Sequence, residues 1–174
     1  MKAITRSEFT SLLKTAQIKP RLRQEVRFAP EDIVNWNELE FITVSDRTNA
    51  KGVLIIELQG QLYVTAYEVS KRIADRNGRT KPVICDLCFT WQKGSGSGRI
   101  RFTRLIDMHN ITLLCCGDLG CSSHVRSKTA TAQLSRAHLR EDLDNDQRVE
   151  RLKQKLGGLV EHLALKQVQL EQSA

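Results

Sequence analysis

Four of the five cysteines in this 174-residue chain form two closely spaced pairs, an arrangement typical of a zinc site. Cys85 and Cys88 are separated by two residues, so a tight turn can place both sulfur atoms on one side. Cys116 and Cys121 follow after 27 intervening residues, which is long enough for a β-hairpin. Because Zn2+ binds thiolates and prefers four ligands at the corners of a tetrahedron, these four cysteines predict one zinc ion.

Two neighbouring residues compete for a place among the ligands. Cys115 directly precedes Cys116, and adjacent side chains in a strand point to opposite faces, so only one of the two can face the metal. We favour Cys116 because it begins a glycine-bounded turn. His124, three residues after the second pair, is the alternative fourth ligand. A histidine that is exposed on a helix, or that caps it, is the simpler explanation of His124.

The predicted zinc is structural. Four cysteine ligands leave no open position for water or substrate, whereas catalytic zinc keeps one. The sequence contains no Gly-rich phosphate loop, no Gly-x-Ser-x-Gly and no His-Glu-x-x-His. Ser122 and Ser123 fit the first turn of a helix better than a nucleophile. We therefore expect no enzyme activity and no catalytic residues.

The sequence favours a cytoplasmic protein. No stretch approaches the ~20 consecutive apolar residues of a membrane span. The first six residues also lack the apolar run of a secretory signal. In a reducing compartment, paired cysteines bind metal more often than they form disulfides.

The net charge of +7 is concentrated in the zinc region. Residues 71–140 carry 13 Lys and Arg against 4 Asp and Glu, a difference of +9. This excess predicts a surface for an acidic protein or for nucleic acid, and a solvated face without a partner is the alternative. Five cations that flank the metal turn are the candidate partner contacts: Arg99, Arg101, Arg104, Arg126 and Lys128.

Three segments are predicted along the chain: a short helical N-terminal segment (1–45), a β region with the zinc finger (46–140), and a C-terminal helix packed on the same domain (141–174). In the first segment, apolar residues at helical spacing predict a helix over 7–17, capped by Ser7. Pro30 opens a second short helical stretch.

The β region contains two predicted hairpins. Residues 52–58 and 61–67 are rich in β-forming residues and are separated by Gln59-Gly60. Residues 99–106 and 111–116 form the second hairpin, with Arg99, Arg101 and Thr103 on one face. Residues 69–75 fit either helix or loop, and the glycines and serines of 94–98 predict a flexible loop.

Two helices complete the prediction. One runs from 122 to about 131 after the second cysteine pair, and the other from 147 to about 171. The leucine pattern of the last helix predicts packing on its own domain, with a partner helix as the alternative. A cysteine turn, a hairpin and cysteines at a helix N-terminus follow one another in treble-clef order. The expected fold class is α+β: a treble-clef zinc finger built on a small antiparallel β region, with a short helical N-terminus and a long C-terminal helix.

Three stretches resemble the elongation factor G-binding protein family, whose best-known members are the fusidic-acid-resistance proteins. They are Trp36-Asn-Glu-Leu-Glu-Phe-Ile, Val83-Ile-Cys-Asp-Leu-Cys and Cys116-Gly-Asp-Leu-Gly-Cys-Ser-Ser-His-Val-Arg126. The helix that begins with Gln147 also fits the family pattern, so the resemblance covers residues 34–170.

The resemblance implies a partner, elongation factor G, bound through the treble-clef domain. In the resistance proteins this binding helps to release the factor from the ribosome. Those proteins carry a larger helical N-terminal domain than residues 1–45 of this chain, so drug resistance is not carried over. The alternative function is direct binding of ribosomal RNA or DNA by the basic region.

Overall fold

An antiparallel sheet of six strands organises the fold. The computed structural model describes residues 1–33, 35–70, 77, 82–93, 97–104 and 106–169. Five strands lie side by side in the order β1 (Phe41–Ser45), β2 (Lys51–Leu58), β3 (Gln61–Ser70), β6 (Ser97–Thr103) and β7 (Asn110–Cys116). The sixth, β8 (Gln167–Val168), pairs with β3, and β4 (Val83–Ile84) pairs with β5 (Trp91–Gln92) in a separate ladder.

The described residues form six α-helices: α1 (Arg6–Thr15), α2 (Pro20–Glu25), α3 (Cys121–Val125), α4 (Ala130–Gln133), α5 (Arg136–Leu139) and α6 (Asn145–His162). Two 3₁₀ helices, Pro30–Asp32 and Trp36–Glu38, precede β1. This combination of helices with an antiparallel sheet confirms the predicted α+β class.

Strand β2 is apolar along most of its length because both faces of the sheet are covered. Side chains alternate between the two faces of a strand. Val53 and Ile55 therefore pack in a cluster with the N-terminal segment, including Leu12 of α1. Leu54 and Ile56 pack in a second cluster, which contains all five cysteines and the apolar side of α6. The sheet thus has a hydrophobic core on each face, and the zinc region covers one of them.

Both predicted hairpins are present in the structure. Gln59 and Gly60 have φ values of 52° and 78°, and this left-handed pair is the two-residue turn that matches the twist of β2 and β3. In β6, Ile100 and Phe102 are buried whereas Arg101 is exposed, as the alternation predicted. The predictions for residues 71–76, 78–80 and 94–96 lie outside the described residues.

The prediction placed the last helix too far along the chain. Helix α6 begins at Asn145, where Asp144 and Gln147 form a capping box, and it ends at His162. Ala164 has a left-handed φ of 51°, which reverses the chain into β8. The leucine pattern continues past the helix because Leu163 is buried in the same cluster as α6, so the pattern overstated the helix length.

Two other helix predictions were wrong in their details. The cap of α1 is Thr5 rather than Ser7: the Thr5 hydroxyl accepts the Glu8 N–H, and the Glu8 carboxylate accepts the Thr5 N–H. The predicted helix over 122–131 is interrupted after α3, because Ser127 has a left-handed φ of 55° and Thr129 caps a new helix, α4.

Replacement by alanine should have opposite effects on the free energy of unfolding at two glycines. A β-carbon on Gly52 would lie against the Val44 carbonyl oxygen and 2.9 Å from Ser45 Cα, so Gly52→Ala should lower the free energy of unfolding by about 1–3 kcal/mol. A β-carbon on Gly157, inside α6, meets nothing within 4 Å, and Gly157→Ala should raise that free energy by about 0.5–1 kcal/mol. Urea unfolding of both variants measures these effects, and a shift of the same sign in both would contradict the packing described here.

Candidate metal centre

The four predicted ligands come together in one buried cluster. The sulfur atoms of Cys85, Cys88, Cys116 and Cys121 all lie within 4.8 Å of one another. The Sγ atoms of Cys85 and Cys121 are 3.8 Å apart, and those of Cys88 and Cys116 are 3.4 Å apart. Four sulfurs bound at about 2.3 Å to a tetrahedral Zn2+ are separated by about 3.8 Å. The donor set and its spacing therefore fit one structural zinc, as predicted.

The first pair is held by a turn at the end of the small ladder. The Cys85 N–H donates to the Thr90 carbonyl at 3.1 Å, and the Phe89 N–H donates to the Cys85 carbonyl at 2.9 Å. Asp86 joins this turn to β7: its N–H donates to the Leu114 carbonyl at 2.9 Å, and its carboxylate accepts the Leu114 N–H at 2.7 Å. Backbone hydrogen bonds thus aim both sulfurs at the end of β7.

The second pair joins the end of β7 to the start of α3. Cys116 is the last residue of β7 and Cys121 the first of α3. Between them, Leu119 has a left-handed φ of 54°, and its N–H donates to the Cys116 carbonyl at 3.2 Å. The Asp118 carboxylate accepts the Gly120 N–H at 3.0 Å. The sharp bend therefore falls on a leucine, although the sequence suggested the flanking glycines.

Cys115 lies outside the cluster of four sulfurs. Its side chain is fully buried, and burial raises the pKa of its thiol well above the usual range. The alternation along β7 separates it from Cys116, as expected for adjacent strand residues.

His124 is a neighbour of the sulfur cluster. Its Nδ1 lies 3.2 Å from Cys116 Sγ and 3.9 Å from Cys88 Sγ, and its Nε2 lies 3.4 Å from an Asp118 carboxylate oxygen. Burial lowers the pKa of His124, but hydrogen bonds to Asp118 and Cys88 outweigh that effect and raise the pKa to about 9. The side chain is only 1% exposed, so the expectation of an exposed or capping histidine was wrong.

Cys116, Asp118 and His124 also lie close enough together to suggest a second ion. However, the imidazole turns one nitrogen to the sulfur and the other to the carboxylate. One ion cannot occupy both sides of the ring, so His124 bridges these two groups. The four sulfurs already complete a tetrahedron without it.

Sequence reasoning missed Gln92. Its side-chain amide nitrogen lies 3.1 Å from Cys116 Sγ, and the residue is only 4% exposed. Its position in β5, opposite the buried Val83, follows only from the β4–β5 pairing of the structure, which no sequence pattern indicated.

Phe89 joins the first cysteine turn to α6. The Arg151 guanidinium carbon lies 4.2 Å from the centre of the Phe89 ring, and Lys155 Nζ lies 5.3 Å from it. Such cation–π contacts contribute about 0.5–1 kcal/mol at exposed sites and more where water is excluded. Arg151 also donates to the Glu141 carboxylate at 2.9 Å. The metal turn and the long helix are therefore in direct contact.

The five candidate partner cations lie in two places, on the β6–β7 hairpin and after α3. On the hairpin, Arg101 forms an ion pair with Glu68 and Arg104 with Asp107, whereas the described residues provide no acidic partner for Arg99. After α3, Lys128 pairs with Glu38 and Arg126 with Glu40; these are the acids just before β1.

Arg126 forms a hydrogen-bonded ion pair within the protein. Its guanidinium nitrogens donate to both carboxylate oxygens of Glu40, at 2.6 and 3.0 Å, and Glu40 is only 5% exposed. The Ser122 hydroxyl accepts the Glu40 N–H at 3.2 Å. This pair therefore joins α3 to the segment that enters β1.

The fold and its buried sulfur cluster define a zinc-finger protein with one structural zinc. The sequence model of the FBP C-terminal treble-clef zinc-finger family matches residues 20–163, more than four-fifths of the chain, and the chain belongs to this family. This match confirms the predicted family and the treble clef. No curated protein and no solved structure matches the chain. Among the described residues, no helix has the length and apolar character needed to cross a membrane.

Removal of one ligand should abolish zinc binding and most of the tertiary structure. Structural zinc contributes about 10–16 kcal/mol of apparent binding free energy in zinc-finger peptides. We expect Cys85→Ser and Cys121→Ser to give metal-free, insoluble or partly unfolded protein. Cys115→Ser should retain one zinc per chain, because this sulfur lies outside the cluster. Elemental analysis and circular dichroism measure both properties, and equal damage from all three substitutions would refute this ligand set.

Truncation of Arg126 should destabilise the protein strongly. Arg126→Ala leaves the buried Glu40 carboxylate without its partner, and loss of one member of a buried ion pair costs about 3–5 kcal/mol. The matched control is Lys128→Ala, which removes an exposed pair and should change the free energy of unfolding by at most about 1 kcal/mol. Urea unfolding distinguishes the two, and equal effects would refute a structural role specific to Arg126.

Proposed function

We propose that this protein binds translation elongation factor G through its zinc-finger domain, and that it acts without enzyme activity in the cytoplasm. The observation that carries the proposal is the pair of motifs around the metal, Cys85-Asp-Leu-Cys88 and Cys116-Gly-Asp-Leu-Gly-Cys121, in a chain of the FBP C-terminal zinc-finger family. Release of the factor from the ribosome is the role that this binding would serve. Four thiolates leave no open position on the metal, and this supports a zinc that maintains the shape of a binding surface.

The β6–β7 hairpin is the surface that we assign to the partner. Arg99 and Arg101 are exposed on one face of β6, and Ile106 and Met108 are 78% and 62% exposed near its tip. Large apolar side chains that project beside cations are characteristic of protein interfaces.

The ion pairs of this hairpin are compatible with partner binding. Arg101–Glu68 and Arg104–Asp107 are exposed, and exposed pairs contribute about 0–1 kcal/mol. An acidic surface on a partner can therefore replace the internal acids at little cost. Arg126 serves the fold instead, so we leave it out of the proposed interface.

Direct binding of RNA or DNA is the second candidate, because residues 71–140 carry a charge excess of +9. Single-stranded nucleic acids are bound by aromatic platforms beside cations. In the described part of this region, Phe102 is fully buried, and Phe89 and Trp91 are partly buried. This arrangement favours a protein partner.

Calorimetry with the full zinc-loaded chain and purified elongation factor G tests the proposal. We expect a complex at micromolar concentrations. The double variant Arg99→Glu, Met108→Asp should weaken it about tenfold or more, as expected when contact residues are lost. The matched control is Arg47→Glu in the β1–β2 turn, which makes the same charge reversal as Arg99→Glu but away from the hairpin and should leave the affinity unchanged.

Two outcomes would overturn the proposal or its surface. Absence of a complex with zinc-loaded protein would refute factor binding. A complex weakened equally by Arg47→Glu and by the hairpin variant would refute the assigned surface. Tight RNA binding whose affinity falls steeply with salt would favour the second candidate, because counterions are released from phosphates.

A further inference from the structure

We propose that Gln92 and His124 are positioning residues for one metal ligand, and that together they donate two hydrogen bonds to the Cys116 thiolate. In this arrangement they draw charge from that sulfur and strengthen the retention of zinc. The inference concerns the metal centre and does not depend on the identity of the partner.

The distances and the burial of both side chains support these two hydrogen bonds. The Gln92 amide nitrogen and His124 Nδ1 lie 3.1 and 3.2 Å from Cys116 Sγ. The two residues are 4% and 1% exposed and come from separate elements, β5 and α3. Buried polar groups in native structures have partners, and the sulfur is the hydrogen-bond partner of the Gln92 amide nitrogen among the described residues. Two buried donors therefore converge on one atom.

The four sulfurs differ in the hydrogen-bond donors that surround them. Within the described residues, no side-chain N–H group is in hydrogen-bond contact with Cys85 Sγ or Cys121 Sγ. Cys88 Sγ has only the more distant contact, 3.9 Å from His124 Nδ1. Cys116 is therefore the sulfur that the protein surrounds with donors.

Asp118 orients the imidazole. Its carboxylate lies 3.4 Å from His124 Nε2, on the side of the ring opposite the sulfur. The Asp118 carboxylate is itself held by the Gly120 N–H, in the short loop between the two ligands of the second pair. The carboxylate and the sulfur therefore hold the imidazole from opposite sides and fix the orientation of the ring, as outer carboxylates orient histidines at metal sites.

The consequence is a less basic thiolate. Zn2+ with four thiolates carries a local charge of about −2, which is costly in a buried site. Donated N–H groups spread this charge over the imidazole and the amide. Outer partners of this kind change metal affinity by about 10–100-fold.

A measurement on the unaltered protein tests the hydrogen bonds. After replacement of zinc by the NMR-active cadmium isotope, scalar coupling passes from the metal through sulfur to a hydrogen-bonded proton. We expect cross-peaks from cadmium to the His124 Hδ1 proton and to a Gln92 amide proton. A spectrum with couplings to the four cysteines but to neither of these protons would overturn the proposal.

Variants test the consequence for zinc retention. His124→Phe and Gln92→Leu should each raise the zinc dissociation constant about 10–100-fold and shift the sulfur-to-metal charge-transfer band of the Co2+-loaded protein. His124→Asn places an amide N–H where Nδ1 stood and should restore most of the affinity and the band position. The matched control, His109→Phe, alters an exposed histidine of the β6–β7 turn and should change neither.

The rescue variant distinguishes hydrogen bonding from simple packing. The proposal fails if His124→Asn loses zinc as readily as His124→Phe. It also fails if the charge-transfer band shifts in neither His124→Phe nor Gln92→Leu, because the donors then do not act on the metal. Binding of elongation factor G is measured separately, so this result and the result for the proposed function remain distinguishable.

Discussion

The fold of the zinc region depends on one interaction, the binding of a metal ion by thiolates from separate parts of the chain. Cys85 and Cys88 follow β4, whereas Cys116 ends β7 and Cys121 begins α3. The β4–β5 ladder has two residues in each strand, and an isolated two-stranded ladder is marginal in water at best. The metal, with the Asp86–Leu114 hydrogen bonds, holds this ladder against the large sheet.

The metal centre is also part of the larger hydrophobic core. All five cysteines belong to the same hydrophobic cluster as the buried leucines of α6. Phe89 brings Arg151 and Lys155 of α6 onto the cysteine turn, and the Arg126–Glu40 pair joins α3 to the N-terminal side of β1. Because these contacts reach every layer, loss of the metal would affect surfaces far from the sulfurs. A structural zinc can thus affect parts of the protein surface that it does not contact.

The surface of the zinc region is less positively charged than the sequence of this region suggests. The sequence shows an excess of cations over residues 71–140, but several of these cations pair with acids of the same chain. Glu38 and Glu40 lie outside that segment, so a count within it overstates the positive charge of the surface. The remaining exposed features of the β6–β7 hairpin combine cations with apolar side chains, a combination that suits a protein partner better than a phosphate backbone.

The sequence by itself determined the zinc ligands, the fold class and the two hairpins. Cysteine spacing, strand alternation and turn residues are local properties, and the chain carries them whatever its distant contacts. Only the tertiary structure decided that His124 and Gln92 meet Cys116, that Arg126 serves the fold, and that α6 stops at His162. Two of these contacts join residues far apart in the chain: Gln92 and Cys116 are 24 positions apart, and Arg126 and Glu40 are 86 positions apart. Burial and pairing at such distances arise from packing, and no local pattern encodes them.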